Sequence, residues 1–285
     1  MEPCMDLFDK LKSHLKSYSP QQKVLAKFIQ SNYQSVAFAT IKELAGLTAT
    51  SEATIVRFVK GLGFTGYPAF QLEIRRVVRK DLKGHERFQL ASQSQSHGND
   101  VLSRFIGKEI DNLASLKTTF DEATFQRVVS ALRNAEEVTV IGSRSTASLA
   151  QHFWFGLTKI GVRSRRFTSV TTETYDEVNR MGARDLIVVI GFPRYLKELL
   201  EILEFAKARK IRTVTLTDSF FSPLLGDLSL FCPAESASFI AFHSAPMLLI
   251  NALIDTLSLT HKKFTIKELD HFETLADHRG YFIKH

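Results

Sequence analysis

The sequence predicts two domains of different class: an all-α N-terminal helix-turn-helix domain and an α/β C-terminal domain. The second is expected to be a doubly wound five-stranded parallel sheet, an αβα sandwich. Three observations carry this. The stretch from Thr40 to Gly63 reads as two short helices with separate N-caps, Thr40 and Ser51. From about Glu136, short apolar runs alternate with helical stretches, the rhythm of a parallel sheet covered on both faces. Between them, Gly84 to Asn99 dissolves into His, Gln and Ser. A chain of 285 residues has room for two cores. The expected division is residues 1–80 for the helical domain, 81–100 for a linker and 101–285 for the α/β domain.

Leu7, Leu11 and Leu15 mark an opening amphipathic helix. Ser19-Pro20 places an N-cap and an N1 proline before a second, with Val24, Leu25, Phe28 and Ile29 inward. Thr40 starts a helix with Ile41, Leu44 and Ala45 on one face. Ser51 starts the next, where Ile55, Phe58, Val59 and Leu62 recur at helical spacing and Glu52, Ala53, Thr54, Arg57 and Lys60 project outward. At about ten residues this helix needs others packed behind it. Gly61, Gly63 and Gly66 punctuate its exit. A closing helix carries Phe70, Leu72, Ile74 and Val77 or Val78 as apolar residues, with Arg75, Arg76, Arg79 and Lys80 exposed.

Periodicity resumes at Val101 with Leu102, Phe105, Ile106, Ile110, Leu113 and Leu116. The strands expected are Val138–Ile141, Val162–Phe167, Leu186–Ile190, Thr213–Thr217 and Leu228–Phe231, with helices near Ala147–Ile160 and Leu196–Arg209.

Of the net charge of +7, nearly all lies in the first domain: residues 1–80 hold 12 Lys and Arg against 6 Asp and Glu. A basic patch is the sequence-independent part of DNA affinity, because it displaces counterions from phosphates. A helix-turn-helix with this charge points to double-stranded DNA, the second helix reading the major groove. Lys42 and Ser51 are expected on phosphates. Glu52, Ala53, Thr54 and Arg57 are expected at base edges, with Thr40 and Lys60 completing the DNA-facing set.

Cys4 and Cys232 lie far apart without metal-ligand spacing, so reduced thiols and no metal are expected. No secretion signal opens the chain. The longest apolar candidate, Ile240 to Leu259, is broken by His243, Asn251 and Asp255, which argues against a membrane span. Cytoplasm is the expected location.

In a parallel sheet of this kind, ligands bind beyond the carboxyl ends of the strands. The first such end, Gly142-Ser-Arg-Ser-Thr146, suits an anion: Gly142 permits close backbone approach, Ser143 and Ser145 bring hydroxyls, and Arg144 brings charge. The alternative is a plain strand-to-helix turn with Ser145 as N-cap. At the second, Arg194 is placed either for a carboxylate or phosphate or for an acidic neighbour, and Tyr195 for a pocket wall. Asp218 and Ser222 either hold ligand hydroxyls or cap the Ser222-Pro223 turn. Glu235 and His243 flank the fourth loop, where a lone His is more often structural than catalytic.

Ile41-Lys-Glu-Leu-Ala45, Ser51-Glu-Ala-Thr-Ile-Val-Arg-Phe58 and Leu62-Gly-Phe-Thr-Gly-Tyr67 closely resemble the DNA-binding domain of RpiR-type bacterial transcriptional regulators. Residues from about 120 to 265 are similar to the SIS (sugar isomerase) domain that follows in that family. The resemblance implies a homodimer or homotetramer regulating carbohydrate or related catabolic genes, with a sugar phosphate sensed in the SIS domain. Ser143 and Ser145 match the family's first loop.

Two departures stand out. Ala49 occupies a turn position where the family usually has Gly. Gly191-Phe-Pro-Arg-Tyr195 replaces a Ser-x-Ser-Gly loop, so those hydroxyl donors to phosphate are missing. The Arg194 guanidinium can take their place and suits carboxylates as well as phosphates. The effector expected is thus a small anionic metabolite, a sugar phosphate or an organic acid, with no cofactor.

Two rivals remain. One is a sugar-phosphate isomerase with an appended DNA-binding domain, for which Glu235 and His243 are the candidate bases. The other is a nucleoid-type DNA binder without ligand, with a steep salt dependence and little sequence preference.

Overall fold

The computed structural model describes residue 11 and residues 18–81, 101–220, 222–236, 240, 243–260 and 262–283. The chain forms two compact units, Met1–Gln95 and Ser96–His285. Expectations for Leu7, Leu15, Cys4 and most of the 81–100 linker fall outside the described residues, as do the side chains of Arg76, Arg79 and Lys80.

The first unit is helical: α1 (Pro20–Val36), α2 (Ile41–Thr48), α3 (Glu52–Gly61) and α4 (Tyr67–Asp81). Ser19 and Gln22 form a reciprocal capping box at the start of α1, with Pro20 in its first turn. Thr40 and Glu43 do the same for α2, and the Ser51 hydroxyl accepts the Thr54 N–H at 3.2 Å to open α3. The core gathers Leu11, Leu25, Ile29, Leu44, Ile55, Phe58, Phe70 and Ile74, all with almost no exposure.

Two expected core residues, Val24 and Leu72, are instead exposed, each lying beside the buried stripe of its helix. Arg75 is also drawn inward. Its Nε donates to the Ala37 carbonyl at 2.7 Å, while the Tyr67 hydroxyl and Gln71 Nε2 donate to the Ala39 carbonyl at 2.8 and 2.6 Å. One helix thereby satisfies carbonyls left over where α1 ends.

The second unit opens with α5 (Val101–Thr119) and α6 (Glu122–Asn134), then alternates strand and helix: β1 (Val138–Gly142), α7 (Ala147–Lys159), β2 (Ser164–Phe167), α8 (Thr172–Arg180), β3 (Leu186–Ile190), α9 (Lys197–Ala208), β4 (Arg212–Thr217) and β5 (Leu228–Phe231). Two helices close it, α10 (Ser244–Thr260) and α11 (Lys262–Arg279). All five strands are parallel in the order β2-β1-β3-β4-β5, so the winding reverses at β1.

β3 is buried throughout and serves both faces: Leu186, Val188 and Ile190 join the core under α6, α7 and α10, while Ile187 and Val189 join the core under α8 and α9. β2 starts at Ser164 rather than Val162 and forms a basic edge. Its Arg165 pairs with Glu137 at 2.6 Å and also with Glu177, and the Arg166 guanidinium stacks on Trp154. Among the described residues no helix is long and apolar enough to cross a membrane, and no group of three His, Cys, Asp or Glu is placed to hold a metal. Cys232 is buried at the end of β5, where desolvation pushes its thiol pKa well up.

Candidate nucleic-acid interface and effector site

The α2–α3 pair has the build of a DNA-reading unit. α2 ends at Ala49, which takes φ 50° and ψ 40°, the left-handed region that a Cβ disfavours. The chain then turns straight into the Ser51 cap. Ser51, Glu52, Ala53, Arg57 and Lys60 are all exposed, as is Lys42 on α2. Neither Lys42, Arg57 nor Lys60 makes an ion pair among the described residues, so three cations face outward.

Thr54 departs from expectation. It is only 7% exposed, and its hydroxyl lies 2.9 Å from that of Ser51. It stands four residues before Phe58, on the stripe that faces the core, which removes it from the reading surface. Thr40 is exposed but committed to its own helix: its N–H and hydroxyl donate to the Glu43 carboxylate at 2.7 and 2.9 Å, holding that carboxylate below its ordinary range.

The second candidate site lies at the carboxyl ends of β1, β3, β4 and β5. Gly142 is required by close approach, since a Cβ there would sit 2.5 Å from the Thr146 carbonyl oxygen. The next residue folds back at once: Ser143 N–H donates to Thr146 Oγ1 at 3.0 Å, and that hydroxyl donates to the Ser143 carbonyl. The buried Ser143 hydroxyl is spent on Glu198 Oε1, 2.6 Å away in the first turn of α9. Arg144 and Ser145 are exposed, Arg144 with φ 55°. Arg194 repeats this pattern at the end of β3, exposed with φ 69° and without an ion pair among the described residues. The reading in which Arg194 serves an acidic neighbour is therefore not realised. Two non-glycine residues in the left-handed region, both arginines at neighbouring strand ends, are strained conformations of the kind that cluster at functional sites.

Behind them the loops interlock. The Tyr195 hydroxyl donates to Asp218 Oδ1, and burial together with the Asp218 charge raises its pKa far above the ordinary value. Ser222 caps its turn, as one of the two readings expected: its Oγ accepts from Leu224 N at 3.1 Å and from Thr217 Oγ1 at 2.7 Å. The other carboxylate oxygen of Asp218, the Ser219 hydroxyl and His243 Nε2 are buried and have no hydrogen-bond partner among the described residues. Burial holds His243 below its ordinary 6.5, with nearby Glu109 pulling the other way. Glu235 is held by Lys108 at 2.7 Å, and its backbone is clamped on both sides by Asn112.

Sequence reasoning missed Lys108, Glu109, Asn112, Glu198 and Ser219. The first three sit on α5 and reach residues more than 120 positions away, a juxtaposition that no local pattern announces. Glu198 was signalled only as an acidic residue in a helix's first turn.

Comparison with known proteins settles the family. Residues 5–80 match the model of the helix-turn-helix domain of the rpiR family, and residues 131–254 match that of the SIS domain. The chain belongs to the RpiR family. A helix-turn-helix-type transcriptional regulator of Caldanaerobacter subterraneus is 24% identical over 254 residues, covering 88% of this chain and 89% of the relative. The transcriptional regulator HexR of Pseudomonas aeruginosa is 26% identical over 222 residues, covering 74% and 73%.

Among solved structures, Vibrio vulnificus NanR, complexed with ManNAc-6P, aligns at TM-score 0.60 and 23% identity over 95% of this chain and 98% of NanR. The sugar isomerase domain of an RpiR factor from Sphaerobacter thermophilus aligns at 0.60 and 20% identity over 62% of this chain and 99% of that domain. This RpiR-family protein is thus a helix-turn-helix transcriptional regulator whose C-terminal unit has the SIS fold.

Proposed function

We propose that this regulator grips operator DNA through α3 and is tuned by a small anionic metabolite bound at the carboxyl ends of the sheet. The observation that carries the effector site is the set of buried polar atoms at that edge without partners among the described residues: Asp218 Oδ2, Ser219 Oγ and His243 Nε2. Each costs about 1–3 kcal/mol while unpaired, a cost that a ligand bearing hydroxyls would offset. Arg144 and Arg194 supply the positive rim for its anionic end, and Tyr195 supports Asp218 from behind. Ser143 adds backbone shape rather than a donor, since Glu198 holds its hydroxyl. The ManNAc-6P of NanR supports a phosphorylated sugar; the arginine in place of a hydroxyl-rich loop keeps organic acids in the class.

On DNA, Lys42 and Ser51 contact phosphates, Lys60 adds charge, and Glu52, Ala53 and Arg57 address base edges. A ten-residue helix covers a few base pairs, so the regulator works as a homodimer or homotetramer on a palindromic site, in the cytoplasm. Replacing Arg57 by Ala should lower discrimination between operator and random duplex by about 1–3 kcal/mol with the fold intact. Unchanged selectivity in a binding titration would remove Arg57 from the reading face.

Catalysis is not part of this function. Glu235, one of the two candidate bases for isomerisation, is tied up by Lys108 and Asn112. A thermal-shift screen of phosphorylated sugars and organic acids tests the proposal, because a ligand at about 100 times its dissociation constant adds roughly 2.7 kcal/mol. Turnover of an aldose or ketose phosphate in the same samples would overturn it in favour of an enzyme.

A further inference from the structure

The edge of the sheet opposite the proposed effector site carries a cavity of its own. It has a volume of about 250 Å³ and lies where β3, β4 and β5 begin, beside the last turns of α6. β4 runs six residues from Arg212 to Thr217. Roughly 17 Å of strand therefore separates this cavity from the carboxyl edge. Leu186, Val214 and Leu228, one from each of three neighbouring strands, supply apolar lining. Arg127, Ser130 and Asn134, spaced i, i+3 and i+7 on one face of α6, bring polar groups. Arg212, Thr213 and Asp227 bring the rest.

Asp227 is fixed in place. Its Oδ2 accepts from the N–H and the hydroxyl of Thr213, both at 2.8 Å, and its own N–H donates to that hydroxyl at 2.9 Å. Gly226 before it seats the turn against β4, since a Cβ there would stand 3.0 Å from the Thr213 carbonyl oxygen. Oδ1 takes no hydrogen bond among the described residues, so half of a rigidly held carboxylate is left for a ligand. Arg127 and Arg212 are exposed, and neither makes an ion pair among the described residues. Asp121 feels the Arg127 charge, but its oxygens serve the N-cap of α6 and are not part of the cavity wall.

Two guanidinium groups and one carboxylate leave the cavity with one positive charge in excess. A plain dicarboxylate or phosphate would suit the arginines but meet Asp227 as a like charge. We propose that the cavity binds a small amino acid carrying two carboxylates. The carboxylates pair with Arg127 and Arg212, each guanidinium offering two parallel N–H donors. The ammonium donates to Asp227 Oδ1, and the methylene chain lies along Leu186, Val214 and Leu228. Such a ligand has one net negative charge, the complement of the site. The volume lies below the usual range for drug-sized ligands, which suits a metabolite this small. The site does not overlap the one proposed at the carboxyl edge, and it does not depend on that reading.

Calorimetric titration of the full chain with L-glutamate, glutarate and γ-aminobutyrate tests the assignment. Glutamate should bind saturably, one per chain. Glutarate lacks the ammonium and γ-aminobutyrate one carboxylate, so each should bind about 10- to 100-fold more weakly. Arg127→Gln and Arg212→Gln, both at exposed positions, should weaken glutamate by a similar factor. Asp227→Asn keeps an acceptor for Thr213 and should erase the preference for glutamate over glutarate. Arg133→Gln, on α6 but outside the cavity, should leave the affinity unchanged. No saturable binding of glutamate overturns the proposal. So does glutarate binding as tightly as glutamate, which would make this a simple anion site. Binding that survives both arginine variants would place the ligand elsewhere and overturn it too. None of these outcomes alters whether the chain selects operator DNA, so the regulator reading stands or falls separately.

Discussion

Ala49 shows how a single residue records a compromise in the reading head. Its φ of 50° places a Cβ in a conformation that costs roughly 1–2 kcal/mol, while glycine there would lose about 0.4–1 kcal/mol through a freer unfolded chain. Ala49→Gly is expected to stabilise the protein by about 1 kcal/mol in chemical denaturation; a loss of stability would show that the turn favours alanine. His243 makes a second prediction at this scale. Its pKa is depressed by burial, so below about 6.5 the unfolded chain takes up a proton that the folded chain refuses. The stability this group contributes is complete above 6.5 and declines as pH falls. His243→Gln should flatten the part of the stability profile that falls away below about pH 6.5, and an unchanged slope would assign it to other groups. The residue scale is also where the sequence was hardest to read. Thr54 looks like any polar residue on a recognition helix, and only its register with Phe58 reveals that it faces inward.

At the scale of elements, legibility followed local chemistry. Helices with a cap and a pure stripe, such as α2 and α3, and strands with continuous apolar runs, such as β1 and β3, were plain from residue types. α8 was not: its nine residues bury only Thr174 and Val178, which leaves no periodic pattern to detect. α6 carried the signal of an Asp121 N-cap, and α11 buries just Thr265 and Ala276. The strand-end loops could be nominated as a candidate site because ligands of parallel sheets bind beyond the carboxyl ends of the strands, but the hydrogen bonds within them were not legible. The β1–α7 turn yields a test. Gly142→Ala drives a Cβ to 2.5 Å from the Thr146 carbonyl, so the loop must shift at a cost of about 1–3 kcal/mol. Loss of effector binding together with reduced stability is expected. Full stability with intact binding would show that the turn is looser than its geometry indicates.

The whole molecule consists of two units with separate cores, and each should respond to its own ligand. Scanning calorimetry is expected to resolve two transitions, with an effector raising only that of residues 96–285; a single cooperative transition moved as a whole would argue that the cores are coupled in stability. The split into a basic helical unit and an α/β unit was readable from charge and periodicity alone, because 12 of the 37 Lys and Arg stand in the first 80 residues against few acids. The contacts between residues far apart in sequence were not, since no local pattern announces them. The clamp of Tyr67, Gln71 and Arg75 on the carbonyls of residues 37 and 39 is one of these. Three donors from one helix weld it to the joint that introduces the reading pair, leaving that joint no hinge of its own. A torque delivered at the far end of α4 would therefore swing the DNA-contacting surface as one rigid head, with little dissipated in local bending.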